Sequence, residues 1–364
     1  MTTDIETISM LRDSVERYTA DQYDFLKRWA VLDEPAGYSE AAWQAYAEFG
    51  WLALCLPEEE GGLQADAVAQ GALMQVVGSR LLMEPLLASA LLGTGLVVRL
   101  GSASQQAELL PALAEGRLKL ALAHEEQLDG HSCRVEAGQL TGTKQGVLHG
   151  DAANRLLVTA RDEQGELQVY LVDVAAAGVE RQVYRLVDGR GAANLRFFGT
   201  PAERLGDVGS ASAADVLAEA FDEASVALCA EAFGAATCLV DITNEYLKVR
   251  KQFGKPLASN QALQHRMADL YMLKEEIRAL TRAAQQAMLL PAEERARQVS
   301  GAKAYICHAA RKIANEAIQM HGGVGVTEEL EVSHYFRRLM VNAALFGSRD
   351  WHFSRFVEST LKSA

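Results

Sequence analysis

VRKQFGKPLASNQ, Val249–Gln261, decides the fold when it is read together with QMHGGVGVTEE, Gln319–Glu329. Both stretches break long helical periodicity where packing alone gives little reason for a break. The first sets a guanidinium, an aromatic ring, a glycine turn and an amide in fixed order. The second ends a helix in Gly322-Gly323, followed by Gly325. Glycines let a backbone approach a ligand closely and leave amides free for phosphate or carbonyl oxygens. Alone, either stretch reads as a helix C-cap and a turn. Together, in this order, they form a pair of ligand-contact loops.

Outward from them the chain is helical. Leu217, Phe221, Ala224, Leu228, Ala232, Ala235, Leu239, Ile242, Tyr246 and Val249 step by threes and fours, the stripe of one helix about ten turns long. Leu263 to Ala287 and Val299 to Ile313 carry two more stripes, which suits a helical bundle with subunit contacts. Between Leu118 and Gly209 the character changes. LKLALA, RLLVTAR, LQVYLVDV and ANLRFFG are short apolar runs split by glycines and polar turns, the pattern of a modest antiparallel sheet or barrel. No GxGxxG occurs, so a Rossmann unit is not expected. Upstream the chain is helical again, with GWLALCLPEEEGGL (Gly50–Leu63) as a helix end and loop, and ELLPALAEG (Glu108–Gly116) as a glycine stop. The expected class is α+β in three parts: helical (1–117), β (118–209) and a C-terminal helical bundle (210–364).

Composition narrows the function classes. A length of 364 residues predicts more than one domain, and 49% apolar residues is an ordinary globular value. A net charge of −13 disfavours nucleic acid or an anionic membrane as the main partner, although a local basic cleft still suits a polyanionic ligand. The five cysteines form no CxxC pair, so no metal site and no disulfide framework is expected. The acidic, amphipathic N-terminal stretch lacks the signal-peptide pattern. No apolar run is expected to be long enough to cross a bilayer; Leu81–Leu100 comes closest but is broken by Glu84, Pro85 and Gly93. The cytoplasm is the expected compartment.

On these residues the chain resembles the acyl-CoA dehydrogenase family along nearly its whole length. LPEEEGGL is similar to that family's N-terminal loop, and RKQFGKP and QMHGGVG to its two flavin motifs. LALAHEE, VLHGDAANRLLV, ALCAEAFGA and YFRRL are most similar to small subunits of bacterial heteromeric members of the pimeloyl-CoA or steroid side-chain type. The resemblance implies a dimer of dimers, an acyl-CoA substrate, FAD, and an electron-transfer flavoprotein as acceptor. It also implies that Arg250, Gln252, Phe253, Gln261, Gln319, Gly322 and Gly323 hold the ADP part of an FAD seated mainly in a neighbouring subunit. Arg250 suits pyrophosphate because its planar fork bonds two oxygens at once.

Two expected sites are altered. The family's α-proton abstraction needs a carboxylate within reach of the substrate Cα. Gly347, after the aromatic Phe346 in LFGSRDWHF, stands where most members carry that Glu. Ala224 stands at the alternative position in the long helix. Glu223 and Asp350 are the nearest substitutes, but one helical residue is a rotation of about 100°, enough to turn Glu223 off the active-site face. At the flavin-ring site, Ala123-His124-Glu125-Glu126 replaces a Thr-Glu-Pro-Gly-type turn, and Gly146-Val147-Leu148 replaces Trp-x-Thr/Ser. His124 is the candidate donor to a flavin edge, and His149 the candidate to face the cleft.

Four readings follow. The leading one is a helper subunit in a heterotetramer with a homologous catalytic subunit. The others are a self-sufficient homotetrameric dehydrogenase with a non-standard base, a flavin monooxygenase of the same fold, and a scaffold without flavin. Retention of Arg250 and Gly322-Gly323 counts against the last.

Overall fold

The computed structural model describes residues 3–34, 36–126, 132–207 and 211–362. The expected boundary at Gly209 and Ser210 lies outside them. In chain order the helices α1 (Ile5–Gln22), α2 (Phe25–Asp33), α3 (Glu40–Glu48) and α4 (Ala67–Arg80) precede a π-helical segment, Leu86–Gly93, and then α5 (Thr94–Leu100) and α6 (Ala103–Ala114). Eight strands follow: β1 (Leu120–Ala123), β2 (Arg134–Glu136), β3 (Gln139–Leu148), β4 (Arg155–Arg161), β5 (Leu167–Asp173), β6 (Val179–Arg185), β7 (Gly191–Pro201) and β8 (Glu203–Arg204). The C-terminal part holds α7 (Ala213–Val249), the small strands β9 (Lys251–Gln252) and β10 (Lys255–Pro256), α8 (Gln261–Ala287), α9 (Ala292–His321), α10 (Glu331–Ala344) and α11 (Arg349–Lys362). The helical, β, helical order is the one the apolar periodicities predict.

These elements form two compact units. One holds Thr3, Trp29–Asp66 and Met83–Phe221. Its sheet runs β6-β7-β3-β2-β4-β5-β8, with β1 added on β4. The expected antiparallel sheet is in fact mixed, because β1 and β2 both pair with β4 in parallel. All four residues of β1 are buried, and a continuous apolar run of that kind suits a covered parallel strand. The β3–β7 register shifts between Lys144 and Val147, a bulge that passes through Gly146 at φ +62°. The Lys119 ammonium is clamped 3.0 Å from both Glu40 oxygens.

The other unit holds Asp4–Arg28, Ala67–Leu82 and the chain from Asp222 onward. Its core takes Ala232, Ala235 and Leu239 from the predicted stripe of α7, with Leu247 beside them, packed with Leu270, Ile277 and Ala284 of α8 and Ile306, Ala309 and Ile313 of α9. A Cβ added at Gly78 would lie 1.9 Å from the Glu231 carbonyl oxygen, and one at Gly234 1.9 Å from that of Gln75, so α4 and α7 pack backbone to backbone. Buried Arg338 pairs with buried Glu231 at 3.1 Å and donates to the Leu82 carbonyl.

One expectation needs correction. No run long enough to cross a bilayer is expected, yet by length and composition α7 is long and apolar enough to do so. Within the apolar window of α7, 72% is buried inside the protein, as in a core helix.

Candidate functional site

The two glycine-bearing loops leave one end of the helical unit. At the close of α7 the Arg250 N–H bonds the Tyr246 carbonyl at 2.8 Å, and the Arg250 carbonyl accepts from Leu257 N–H at 2.8 Å. Between these bonds β9 and β10 form a minimal hairpin with Gln252 opposite Lys255. Its two tip residues, Phe253 and Gly254, have φ +51° and +81°. A two-residue hairpin of this twist needs positive φ at both positions, which is ordinary for glycine and strained for phenylalanine by roughly 1–3 kcal/mol. The Phe253 ring is 99% exposed. Arg250, Gln252 and Gln261 are exposed as well.

At the end of α9, Gly322 adopts φ +65° and ψ −147°, a region that glycine alone occupies easily. A Cβ built on Gly322 or Gly323 would meet nothing within 4 Å, so this backbone faces open space. Gly325 differs: its added Cβ would lie 2.8 Å from the His321 Cβ, so it serves packing. Gln319 is exposed, and so are the apolar residues Val324 and Val326 beside the turn. Beyond it, Glu328 forks onto Arg337 with two bonds of 2.6 Å. The His334 Nε2–H donates to the Glu328 carbonyl, and its Nδ1 accepts from Arg28 at 2.7 Å. Burial holds His334 neutral, with its pKa pushed down to about 4.

The structure brings the two loops together through Tyr246, which the stripe of α7 assigns to the core. The Tyr246 ring stacks on His321 at 4.2 Å, and its hydroxyl donates to the His321 carbonyl at 3.3 Å. The Arg266 guanidinium in α8 pairs with Glu316, one turn before Gln319. The available signal was spacing: Tyr246 lies four residues before Arg250, on the same helix face.

The expected base positions are of another kind. Gly347 sits at φ +105° in the turn between α10 and α11. An added Cβ there would lie 2.6 Å from Trp351 Cε3 and 3.0 Å from His352 Nε2. Phe346, half-buried, has φ +54°. Its carbonyl accepts from the His352 Nε2–H at 3.0 Å, and this assigns the imidazole tautomer. His352 Nδ1 then accepts from Ser300, whose hydroxyl oxygen accepts from Arg355. Arg355 bonds Asp222 Oδ1 at 2.7 Å and Arg295 bonds Oδ2 at 3.3 Å, both onto a buried carboxylate. Burial pushes the pKa of His352 down to about 4, so it is neutral at pH 7. Ala224 is buried, Glu223 half-buried, and Asp350 exposed in the first turn of α11.

In the other unit, His124 follows β1. Its ring lies 4.9 Å from Phe221 and its Nε2 3.3 Å from the Glu125 carboxylate, whose pKa that contact lowers. The turn is clamped from β3 by Lys144, buried to 1% exposure, which donates to the His124 carbonyl, Glu126 Oε1 (2.8 Å) and Thr159 Oγ1. Gln145 adds its N–H to the Glu125 carbonyl and its side-chain amide to that of Glu126. The period-two reading of β3 puts Lys144 on the face of buried Leu140, a signal that was available. Of the positions where an indole and a hydroxyl are expected, Gly146 is exposed and Leu148 is buried. His149 is 4% exposed at φ +55°.

Residues 5–117 match the N-terminal domain of acyl-CoA dehydrogenase and residues 214–361 its C-terminal domain. The chain belongs to the acyl-CoA dehydrogenase family, a family of oxidoreductases. It is similar to acyl-CoA dehydrogenase IpdE2 of Mycobacterium tuberculosis, 29% identical over 346 residues, which cover 94% of each chain. Among solved structures it superposes on a variant of the Tcur3481-Tcur3483 steroid ACAD at TM-score 0.88, with 26% identity and 98% of each chain covered. The ChsE4-ChsE5 complex of Mycobacterium tuberculosis shares the fold at TM-score 0.89 and 22% identity, covering 100% of this chain and 99% of that one.

Proposed function

We propose that this chain is the helper subunit of a heteromeric, FAD-dependent acyl-CoA dehydrogenase that oxidises an acyl-CoA thioester of lipid or steroid catabolism. Arg250, Gln252, Phe253, Gln261, Gln319, Gly322 and Gly323 complete an FAD site seated mainly in a homologous catalytic subunit. Bound there, FAD supplies the hydride acceptor for α,β-dehydrogenation, and an electron-transfer flavoprotein then takes the electrons.

The carrying observation is Phe253, a strained aromatic with 99% exposure at the tip of a hairpin. Nothing among the described residues repays that geometry, while a partner's ligand would. Val249, Val324 and Val326 are exposed beside the same loops, as expected of a surface covered in an assembly. Arg250 contributes a bidentate cation for pyrophosphate, and the open Gly322-Gly323 backbone admits close approach. The crowded, left-handed Gly347 and the buried Ala224 support the absence of a base here, so proton abstraction falls to the partner. The clamped His124 turn lends that edge of the sheet to fixing structure rather than to proton transfer. The names of two structural neighbours, each with two components, fit the same reading.

The test is to purify the chain alone and with its homologous partner, and to measure flavin absorbance and its bleaching by acyl-CoA. The proposal expects a colourless lone chain and a yellow pair that bleaches. A lone chain holding one FAD per subunit and bleaching with an acyl-CoA contradicts it and favours the self-sufficient homotetramer.

A further inference from the structure

We infer that Tyr246 is a positioning residue that holds the Arg250 hairpin and the Gly322-Gly323 turn in one register, so that both meet the same dinucleotide. The inference rests on the proposed reading of those loops as flavin contacts.

The tyrosine side chain reaches from the helix that carries the first loop to the second. Its carbonyl accepts the Arg250 N–H at 2.8 Å, which starts the hairpin. Its hydroxyl donates to the His321 carbonyl at 3.3 Å, one residue before Gly322, and its ring stacks on the His321 ring at 4.2 Å and 27°. His321 is itself fixed. Its Nδ1–H donates to the Ala317 carbonyl at 2.8 Å, and Gly325 packs under its Cβ. The hairpin residues Arg250 to Lys255 are all exposed, so the hairpin takes its direction from the last turn of α7. Two segments that must grip one ligand at a set spacing bind it better when that spacing exists beforehand, because no ordering entropy is lost on binding. Tyr246 supplies that spacing without itself facing the ligand.

The experiment uses the complex of this chain with its homologous partner, stripped of flavin and titrated with FAD. Tyr246→Phe keeps the stack and loses the hydroxyl bond; Tyr246→Leu loses both. One hydrogen bond of this kind is worth about threefold to tenfold in affinity, and loss of the stack adds a further factor of about three to ten. The expected order of FAD affinity is wild type, then Phe, then Leu. The melting temperature of the flavin-free complex should move no more than in Tyr271→Leu, an exposed control on α8. Equal FAD affinity in all three proteins overturns the inference. So does a loss in which Phe and Leu are alike and both follow a fall in flavin-free melting temperature, since that marks a general packing role. A wild-type complex that takes up no FAD overturns the underlying reading of the loops instead, and this inference with it.

Discussion

The dipeptide Phe-Gly occurs in two turns of the helical unit, and the chain builds them in opposite ways. Phe253-Gly254 and Phe346-Gly347 share a left-handed backbone, with φ +51° and +81° in the first and +54° and +105° in the second. The first is bare: its ring is 99% exposed, and an added Cβ at Gly254 would meet nothing within 4 Å. The second is anchored through His352 and Ser300 to Arg355 and Asp222, with Trp351 pressed against Gly347. Similar backbone strain therefore carries different meanings. Where the chain itself holds the strained residue, the turn is a finished part of the structure. Where nothing among the described residues holds it, the turn is shaped for something outside.

The largest predicted effect lies in the anchored turn. Asp222→Ala leaves Arg295 and Arg355 without their buried carboxylate and should lower stability by about 3–5 kcal/mol in denaturant titration. A loss under about 1 kcal/mol would mean that the network does not hold the turn.

Acid comes next. His352 and His334 are neutral in the folded chain down to about pH 4, against an unfolded value of 6.5. Above pH 6.5 neither state binds the proton, and their contribution is fully present. As pH falls below 6.5 the unfolded chain takes up protons that the folded chain does not, and stability declines towards pH 4. At pH 5 the loss is about 2 kcal/mol for each histidine. His352→Gln, measured over the same range, should remove about half of this slope; an unchanged slope would count against the His352 anchor.

Gly347→Glu restores the side chain expected of a base but places it at φ +105° against Trp351. It should cost about 1–3 kcal/mol and confer no acyl-CoA bleaching on the lone chain. Gain of bleaching would show that the turn opens more easily than its contacts suggest.

The smallest effect on this chain falls at the bare turn. Phe253→Ala should change the lone chain's stability by less than about 0.5 kcal/mol. It should weaken flavin uptake by the assembled pair by about 2 kcal/mol, the size of an interface anchor. A lone chain strongly destabilised by this change would show that Phe253 serves its own fold.

Much of this was legible in the residues. The apolar stripes placed α7, α8 and α9 because three-and-four spacing leaves few other solutions. The glycine loops stood out because Arg250, Phe253 and Gly322-Gly323 have no business on a packed face. The anchored network was not legible. Asp222, Ser300, His352 and Arg355 come from three different helices, and each reads as an ordinary helix residue until packing brings them together. Tyr246 hid for a different reason: it sits within the stripe of α7, where an aromatic reads as core. The parallel pairing of β1 was missed because a four-residue apolar run carries no direction of its own, and the membrane-like length of α7 because its apolar stripe already read as bundle core.

The most direct test of the helper reading changes Arg250 to Met in this chain alone, within the purified pair, and counts FAD per complex. The account predicts an intact, correctly assembled pair that has lost most of its flavin, although the substituted residue lies outside the catalytic subunit. A pair that keeps its full flavin and its affinity for FAD would contradict it.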